Sequence, residues 1–349
     1  MTISGPTAPA DATVESPAVP PGRRSGRGSG GGAGRGPGRS RSARAREDRR
    51  TGYLLISPTV VIVGVMVVLP ILWTVSLAFQ QVRLLNLRTT GLIGEFDLDN
   101  FRNVLTSPGF VSALVNTLVY SVFGTACAIG IGLVAALALR RPFRGRGLVR
   151  ACMLLPYVAP VVAATFLWKT MLNSQFGVVN HYGTTLLGWN EPIAFLSSSD
   201  SPSIFGLDLP ISTAMLTVVL FEGWRSFPFA FLFLTARMQA IPDTLDEAAI
   251  VDGAAPTQRF RHIVLPQLLP TIAVLTVLRF IWTFNNFDDI YLLTRGGAKT
   301  QVVTVRVYDY LINRGDIGAA AAQALVLAVI LAVLVGVYLK FFGRQEEVA

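Results

Sequence analysis

The chain has 349 residues and a formal net charge of +9; 52% of its residues are hydrophobic and only 15% are charged. A typical soluble domain has roughly 25% charged residues, so this chain has too few to cover a water-exposed surface. Its apolar residues also form long uncharged blocks, such as those between Arg50 and Arg83 and between Arg102 and Arg140. Helices of a soluble core alternate with polar faces, so these blocks argue against a soluble protein and favour helices that cross a bilayer.

Residues 1–50 differ in composition from the rest of the chain, because they contain ten arginines and many glycines, and the stretch 22–50 has almost no apolar side chains. Such a segment cannot bury enough surface to offset its ordering entropy, so we expect a disordered, basic, cytoplasmic tail. Basic glycine-rich segments can bind RNA, but a tail that sets membrane topology and contacts anionic headgroups explains the same charges. We therefore expect the lipid bilayer, and no nucleic acid, as a partner of this segment.

The remaining residues, 51–349, predict one all-α integral membrane domain with about six transmembrane helices. A span needs about 20 predominantly apolar residues, and six regions reach that length. The third region contains Pro156 and Pro160, which would kink it but are tolerated when neighbouring helices satisfy the freed carbonyls. The predicted spans cover 53–80, 111–139, 148–172, 211–237, 267–293 and 317–342.

The loops differ in their content of lysine and arginine, which sets the orientation of a membrane protein. The tail, the loops after the second and fourth spans and the C-terminus together hold most of these residues. We therefore expect a multi-pass protein of the cell membrane with both termini in the cytoplasm. The loop between the fifth and sixth spans fits this orientation least well, because it holds Arg295, Lys299, Arg306 and Arg314 on the opposite side.

The loop at 241–270, predicted to face the cytoplasm, has the sequence signals of a helix, a turn and a second helix. Thr244 and Glu247 have the spacing of a capping box, so the first helix is expected to start there. Gly253 can end it in a left-handed conformation, and Pro256 can start the second helix because its missing N–H costs nothing in a first turn. Two further prolines then mark the start of the fifth span. These signals alone fit either a plain connector or a knob that docks on another protein.

The same loop resembles the EAA motif of the permease subunits of binding-protein-dependent ABC importers. The resemblance implies a type I ABC importer permease fold and a coupling helix that docks on an ATP-hydrolysing subunit. It also implies the partners of that family: a second homologous permease subunit, two ATPase subunits and an extracytoplasmic solute-binding protein. The signature positions, at the spacing of that family, are Glu247, Ala248, Ala249, Gly253, Ile263, Leu265 and Pro266.

No phosphate-binding loop of the kind G-x-x-x-x-G-K-[ST] occurs in the sequence. We therefore expect a transport subunit that is not itself an enzyme, with ATP and magnesium bound by the partner ATPase subunits. No cofactor or metal is expected in this chain, since its two cysteines and two histidines lack metal-ligand spacing.

The segment FDDIYLLTRGGAKT, from Phe287 to Thr300, is similar to the outer loop between the last two spans of carbohydrate permeases of the maltose and glycerol-phosphate type. That loop commonly ends in Gly-Gly-Pro, and Ala298 takes the place of the proline here. The resemblance implies import of a sugar or sugar derivative, with a non-sugar solute as the alternative.

Charged side chains lie inside two of the predicted spans, where each costs a few kcal/mol in lipid and usually faces a cavity or a partner. Glu222 and Arg225 are three residues apart and share a helix face, and Arg279 is near the middle of the fifth span. Nearby polar and aromatic side chains would suit the hydroxyls and C–H faces of a sugar. An interhelical salt bridge that only fixes packing would explain the charges equally well. The candidate pathway residues are Glu222, Trp224, Arg225, Arg279, Asn285, Asn286, Asp288, Asp289 and Tyr291.

Two other classes of membrane protein are alternatives. An ion-coupled secondary transporter would call for inverted repeats and broken helices around a midplane site, and the sequence has proline kinks but no evident repeat. A membrane enzyme would require a cluster of catalytic residues at one interface, and no such cluster stands out in the sequence.

Overall fold

The computed structural model describes residues 53–86, 94, 96–204 and 207–342. The expected disordered tail lies outside these residues. By internal contacts the chain divides into two units, Met1–Ile62, of which residues 53–62 are described and helical, and Val63–Ala349. The main described helices are α1 Tyr53–Ala78, α2 Asp99–Thr106, α3 Phe110–Ala138, α4 Arg146–Val158, α5 Val161–Met171, α6 Val178–Leu186, α7 Thr213–Gln239, α8 Asp243–Val251, α9 Pro256–Phe284, α10 Asp288–Thr294, α11 Val303–Tyr308 and α12 Ile317–Phe342.

The helical, membrane-spanning architecture is confirmed. By length and composition, α1, α3, α7, α9 and α12 can each cross a membrane, and the bent pair of α4 and α5 brings the number of candidate spans to six. Among the described residues the strands are limited to β1, Ser203–Ile204, and β2, Leu207–Asp208, which pair antiparallel between α6 and α7.

The third span is broken, not merely kinked as its prolines predicted. Helix α4 ends at Val158 and α5 starts at Val161, and the two helices are bent by 97°. Ala159 between them has an extended backbone, with ψ of 138°. The cause is Pro160, because a proline disfavours helical geometry in the residue before it. Pro156, by contrast, lies inside α4 without ending it.

The predicted second helix of the 241–270 loop does begin at Pro256, but it does not end before the fifth span. A single helix, α9, runs from Pro256 to Phe284, so the loop leads straight into the fifth span. A π-helical stretch, Phe260–Val264, lies inside α9 just before Pro266. A π-turn changes the local hydrogen-bond register, which explains how the helix continues past a residue that lacks an N–H. The predicted span also ended too late, since the helix stops at Phe284.

The predicted capping box at the start of α8 was also wrong. Helix α8 begins at Asp243, after Pro242, with no side-chain hydrogen bond at its cap, so Thr244 lies inside the helix. Pro242 has φ of −60° and ψ of 131°, which sets the chain direction into the helix without help from Thr244. Asp243 and Asp246 lie in the first turn, where negative charge stabilises the positive end of the helix dipole.

Helices α3 and α7 pack closely because small residues line their contact. A β-carbon added at Gly132 would lie 2.8 Å from the Ala230 β-carbon and 2.9 Å from the Phe231 backbone nitrogen. A β-carbon at Gly223 would collide with Cys127. Small residues that let backbones approach are the usual basis of helix association in membranes. This contact brings the middle of α3 against the charged part of α7.

The turn after α10 has an unusual backbone and is tied to two spans. Arg295, Ala298 and Lys299 all have positive φ, with Ala298 at 48°. Asn116 of α3 donates to the Lys299 carbonyl at 3.0 Å, and Ser212, which caps α7, donates to the Ala298 carbonyl at 2.8 Å. These bonds hold a strained turn against the ends of α3 and α7.

Candidate functional site

Two charges predicted in separate spans form an ion pair inside the protein. Arg279 of α9 donates to Glu222 of α7, and their side chains are 5% and 0% exposed. Thr283 and Ser226 donate to the same carboxylate oxygen at 3.0 and 3.1 Å. Each hydroxyl is four residues from one of the charges, a spacing that places it on the same helix face. The carboxylate is therefore compensated by a cation and two hydroxyls, as a buried charge requires.

A second buried carboxylate, that of Asp289 at the start of α10, accepts hydrogen bonds from three parts of the chain. Arg225 lies 3.1 Å away, Asn286 donates to it at 3.0 Å, and Tyr120 of α3 donates at 3.2 Å. Arg225 also lies 3.6 Å from Glu222, so it links the two carboxylates. Two acids and two arginines from α7, α9 and α10 thus form one cluster with no net formal charge, which we name the buried cluster.

Four atoms of the buried cluster are buried without a hydrogen-bond partner among the described residues. They are Glu222 Oε2, Arg225 Nε, Arg279 Nε and Asp289 Oδ1. Buried polar atoms in proteins are nearly always hydrogen-bonded, to protein or to ordered water. The cluster therefore keeps both donors and acceptors that a polar ligand or water could use.

Aromatic rings lie on the same helices as the charges of the cluster and on neighbouring helices. The Trp224 ring of α7 lies 5.6 Å from that of Trp168 in α5. Tyr291 of α10 stacks on Phe287 and contacts Tyr308 of α11, each at 4.7 Å between ring centroids. The hydrogen bond between Tyr308 and Tyr291 raises the pKa of Tyr308. Two tryptophans and a group of three rings thus adjoin the segments that carry the charges.

Two of the polar candidate pathway residues have no hydrogen bond to the buried cluster among the described residues. Asn285 is exposed and donates to the Ile281 carbonyl of its own helix. Asp288 is also exposed, at the first position of α10. The chain leaves the helix after Phe284, so the predicted placement of these residues in the outer half of a continuous fifth span was wrong. The same break allows Asn286 and Asp289 to turn towards Arg225.

Several residues of the site were not predicted from the sequence. Tyr120, Thr283 and Ser226 are buried and contribute donors to the carboxylates. Gly124 makes room for Glu222, because a β-carbon there would lie 3.1 Å from its γ-carbon. Gly124, Ala128 and Gly132 form a small-xxx-small pattern that could have indicated the close α3 contact. No local pattern could have pointed to Tyr120, which is 169 residues from Asp289.

The residues that match the EAA motif lie on α8, at its end and in α9. Glu247 and Ala248 are exposed, Ala249 is half-buried, and Gly253 follows the helix with φ of +75°. The left-handed glycine predicted at this helix end is therefore present. The remaining motif residues are in α9, where Ile263 and Leu265 are half-buried and Pro266 is exposed.

Comparison with known proteins agrees with this architecture. Residues 128–344 match the family model described as "Binding-protein-dependent transport system inner membrane component". The chain belongs to this family. It is therefore a multi-pass membrane permease subunit of an ABC importer, a component that transports solute and leaves ATP hydrolysis to other subunits.

Two relatives and one solved structure show how far the likeness of this permease extends. It is 35% identical to "Inner membrane ABC transporter permease protein YcjO" of Escherichia coli K12, over 82% of this chain and 92% of the relative. It is 32% identical to "Trehalose/maltose transport system permease protein MalF" of Thermococcus litoralis, over 84% of this chain and 94% of the relative. Its fold resembles that of a chain of a bacterial ABC transporter involved in the import of alginate, with TM-score 0.71 and 23% identity. The match covers 86% of this chain and 99% of the other.

Proposed function

We propose that this permease imports a sugar or sugar derivative. The observation that carries the proposal is the buried cluster around Glu222, on helices that also carry Trp224 and Tyr291, in a chain related to a trehalose/maltose permease. Ligand sites combine a few placed polar groups with aromatic walls. Sugar hydroxyls suit charged side chains that both donate and accept, and sugar C–H faces suit the rings.

The proposed route of the solute passes the buried cluster. Arginine and carboxylate groups could exchange their mutual bonds for bonds to hydroxyls, and the four atoms without hydrogen bonds could bond to the solute directly. The alternative is an interhelical ion pair that only fixes packing. Among the candidates, Asn285 and Asp288 are the weakest, because both are exposed outside the cluster.

We further propose that α8 is the coupling helix, with Glu247, Ala248, Ala249 and Gly253 at its contact with an ATPase subunit. Support comes from its exposure, since most of its side chains lie at the surface. The complete importer would contain a second permease, two ATPase subunits and an extracytoplasmic binding protein. The ATPase subunits would bind ATP together with magnesium, and the binding of ATP would draw the two coupling helices together.

The loop that holds α8 would face the cytoplasm, together with both termini. The supporting observation is that arginines are concentrated in the tail, in the segment after α3 and in the loop that holds α8. In this orientation the tail of residues 1–50 and the six-helix domain of residues 51–349 would remain separate regions. The tail would contact anionic lipid headgroups and no nucleic acid.

Purification of the permease with its associated subunits tests this function. We expect ATPase subunits to co-purify, and the binding protein of the complex to bind one solute from a panel of two sugars, maltose and trehalose, and one polyol phosphate, glycerol 3-phosphate, with histidine as the control from another class. ATP-dependent uptake of the same solute into proteoliposomes should follow. Binding of histidine alone would contradict the sugar assignment, and uptake driven by an ion gradient without ATPase subunits would contradict the importer.

A further inference from the structure

One acidic residue of α8 faces the rest of the protein, whereas most of the helix lies at the surface. Within Asp243–Val251, Asp246 and Ala249 are half-buried and the other side chains are exposed. The two are three residues apart, so they lie on the same face of the helix. The helix therefore touches the body of the protein along a narrow line, and Asp246 is the charged group on that line.

Asp246 is paired with arginines from two different membrane helices. Arg140, directly after the C-cap of α3, lies 3.1 Å from its Oδ2 atom. Arg259, in the first turn of α9, lies 3.6 Å from its Oδ1 atom. The Asp246 side chain is 23% exposed and the arginines 26% and 13%, so solvent screens these pairs only in part. One carboxylate thus joins α8 to two spans.

The short linker between α8 and α9 is less suited to transmit movement than these ion pairs are. It runs through Asp252, Gly253 and two alanines, and Gly253 has positive φ with open space where a β-carbon would lie. Short segments of this kind absorb changes in φ and ψ, so they can act as hinges. A displacement of α8 could therefore bend this turn without moving α9, unless a second contact transmits the displacement.

We propose that Asp246 is a positioning residue that clamps the coupling helix to α3 and α9, so that movement of α8 reaches both spans. This inference rests on the proposed role of α8. The pair with Arg259 bridges the Gly253 turn, and the pair with Arg140 reaches α3, a span that is not directly connected to α8 in the chain. Because α3 packs closely on α7, which carries Glu222 and Arg225, the clamp gives α8 a contact path to the buried cluster.

The test uses the full permease assembled with its ATPase subunits, with Mg-ATP and vanadate as the probe. Hydrogen–deuterium exchange is followed in α8, at the end of α3 and at the start of α9. In the unmodified complex, nucleotide trapping should change exchange in all three regions. In Asp246→Asn, α8 should still respond, because its exposed face is intact, while the responses of α3 and α9 should be lost.

Two further variants test the ion pair with α3 and the need for a negative charge at position 246. Arg140→Gln should lose the response of α3 and keep that of α8, and it decides the question if Asp246→Asn does not assemble. Asp246→Glu, which retains the charge, should restore the responses of both spans. Asp309→Asn is the matched control, because it breaks an exposed ion pair with Arg314 far along the chain from α8, and it should leave all three responses intact.

The outcomes distinguish the clamp from the role of α8 itself. Full responses of α3 and α9 in both Asp246→Asn and Arg140→Gln would overturn the clamp and leave the coupling helix in place. Absence of any response of α8 in the unmodified complex would instead overturn the coupling-helix assignment, and the clamp with it.

Discussion

Arg279 of α9 and Glu222 of α7 form a hydrogen-bonded ion pair that is almost completely buried between two membrane helices. Removing one partner of such a pair leaves an uncompensated charge, whereas removing both charges together is often tolerated. This asymmetry makes it possible to separate a role in packing from a role in solute movement.

Arg279→Ala should lower the free energy of unfolding by about 3–5 kcal/mol and reduce transport. The double variant Glu222→Gln with Arg279→Gln removes both charges and should recover much of the lost stability. If the pair lies on the solute route, transport should stay low in the double variant. Thermal unfolding and uptake measured on the same preparations check this, and normal uptake by the double variant would show that the pair serves packing alone.

Arg225→Ala should impair transport with a smaller loss of stability than Arg279→Ala. The Arg225 side chain is 24% exposed, and Asp289 would keep hydrogen bonds from Tyr120 and Asn286. Arg225→Lys is the matched variant, because lysine keeps the charge but lacks the planar fork that can span two carboxylates. Uptake by Arg225→Lys should lie between those of the alanine variant and the unmodified protein. Equal uptake by all three would remove Arg225 from the solute route.

The turn at Ala298 gives a prediction about stability. Because its φ is 48°, Ala298→Gly should stabilise the protein by up to about 1 kcal/mol. Ala298→Pro should destabilise it, since proline fixes φ near −65°. The melting temperature of the purified permease checks both signs. A proline variant as stable as the original would mean that the turn can adopt the geometry of the Gly-Gly-Pro loops that the sequence otherwise resembles.

The spans were predictable because long apolar blocks are a local property of the sequence, and so was Gly253 at the end of α8. The break at Pro160 and the continuation of α9 past Pro266 were not, since a proline can kink, break or be absorbed by a π-turn, and neighbouring contacts decide which.

The candidate site was predictable in part for a similar reason. Glu222, Arg225 and Arg279 stand out as charges inside apolar blocks. Tyr120 does not, because it joins the site only when α3 packs on α7. The pairing of Asp246 with Arg140 likewise depends on the tertiary fold, since 106 residues separate them in the printed sequence.

The Gly253→Asp variant tests the central claim, that α8 couples this permease to ATPase subunits. An added β-carbon disfavours the left-handed backbone at this position by roughly 1–2 kcal/mol. The permease itself leaves open space there, so the fold should survive. Gly188→Asp is the matched control, because Gly188 also has positive φ and open space, at 69°, but lies in the segment between α6 and α7.

The decisive measurement is the amount of ATPase subunit recovered per permease in the membrane, taken together with uptake. For Gly253→Asp we predict normal membrane abundance, loss of the ATPase subunits and loss of uptake, while Gly188→Asp retains both. Normal ATPase recovery and normal uptake in Gly253→Asp, at normal abundance, would contradict the assignment of α8 as the coupling helix.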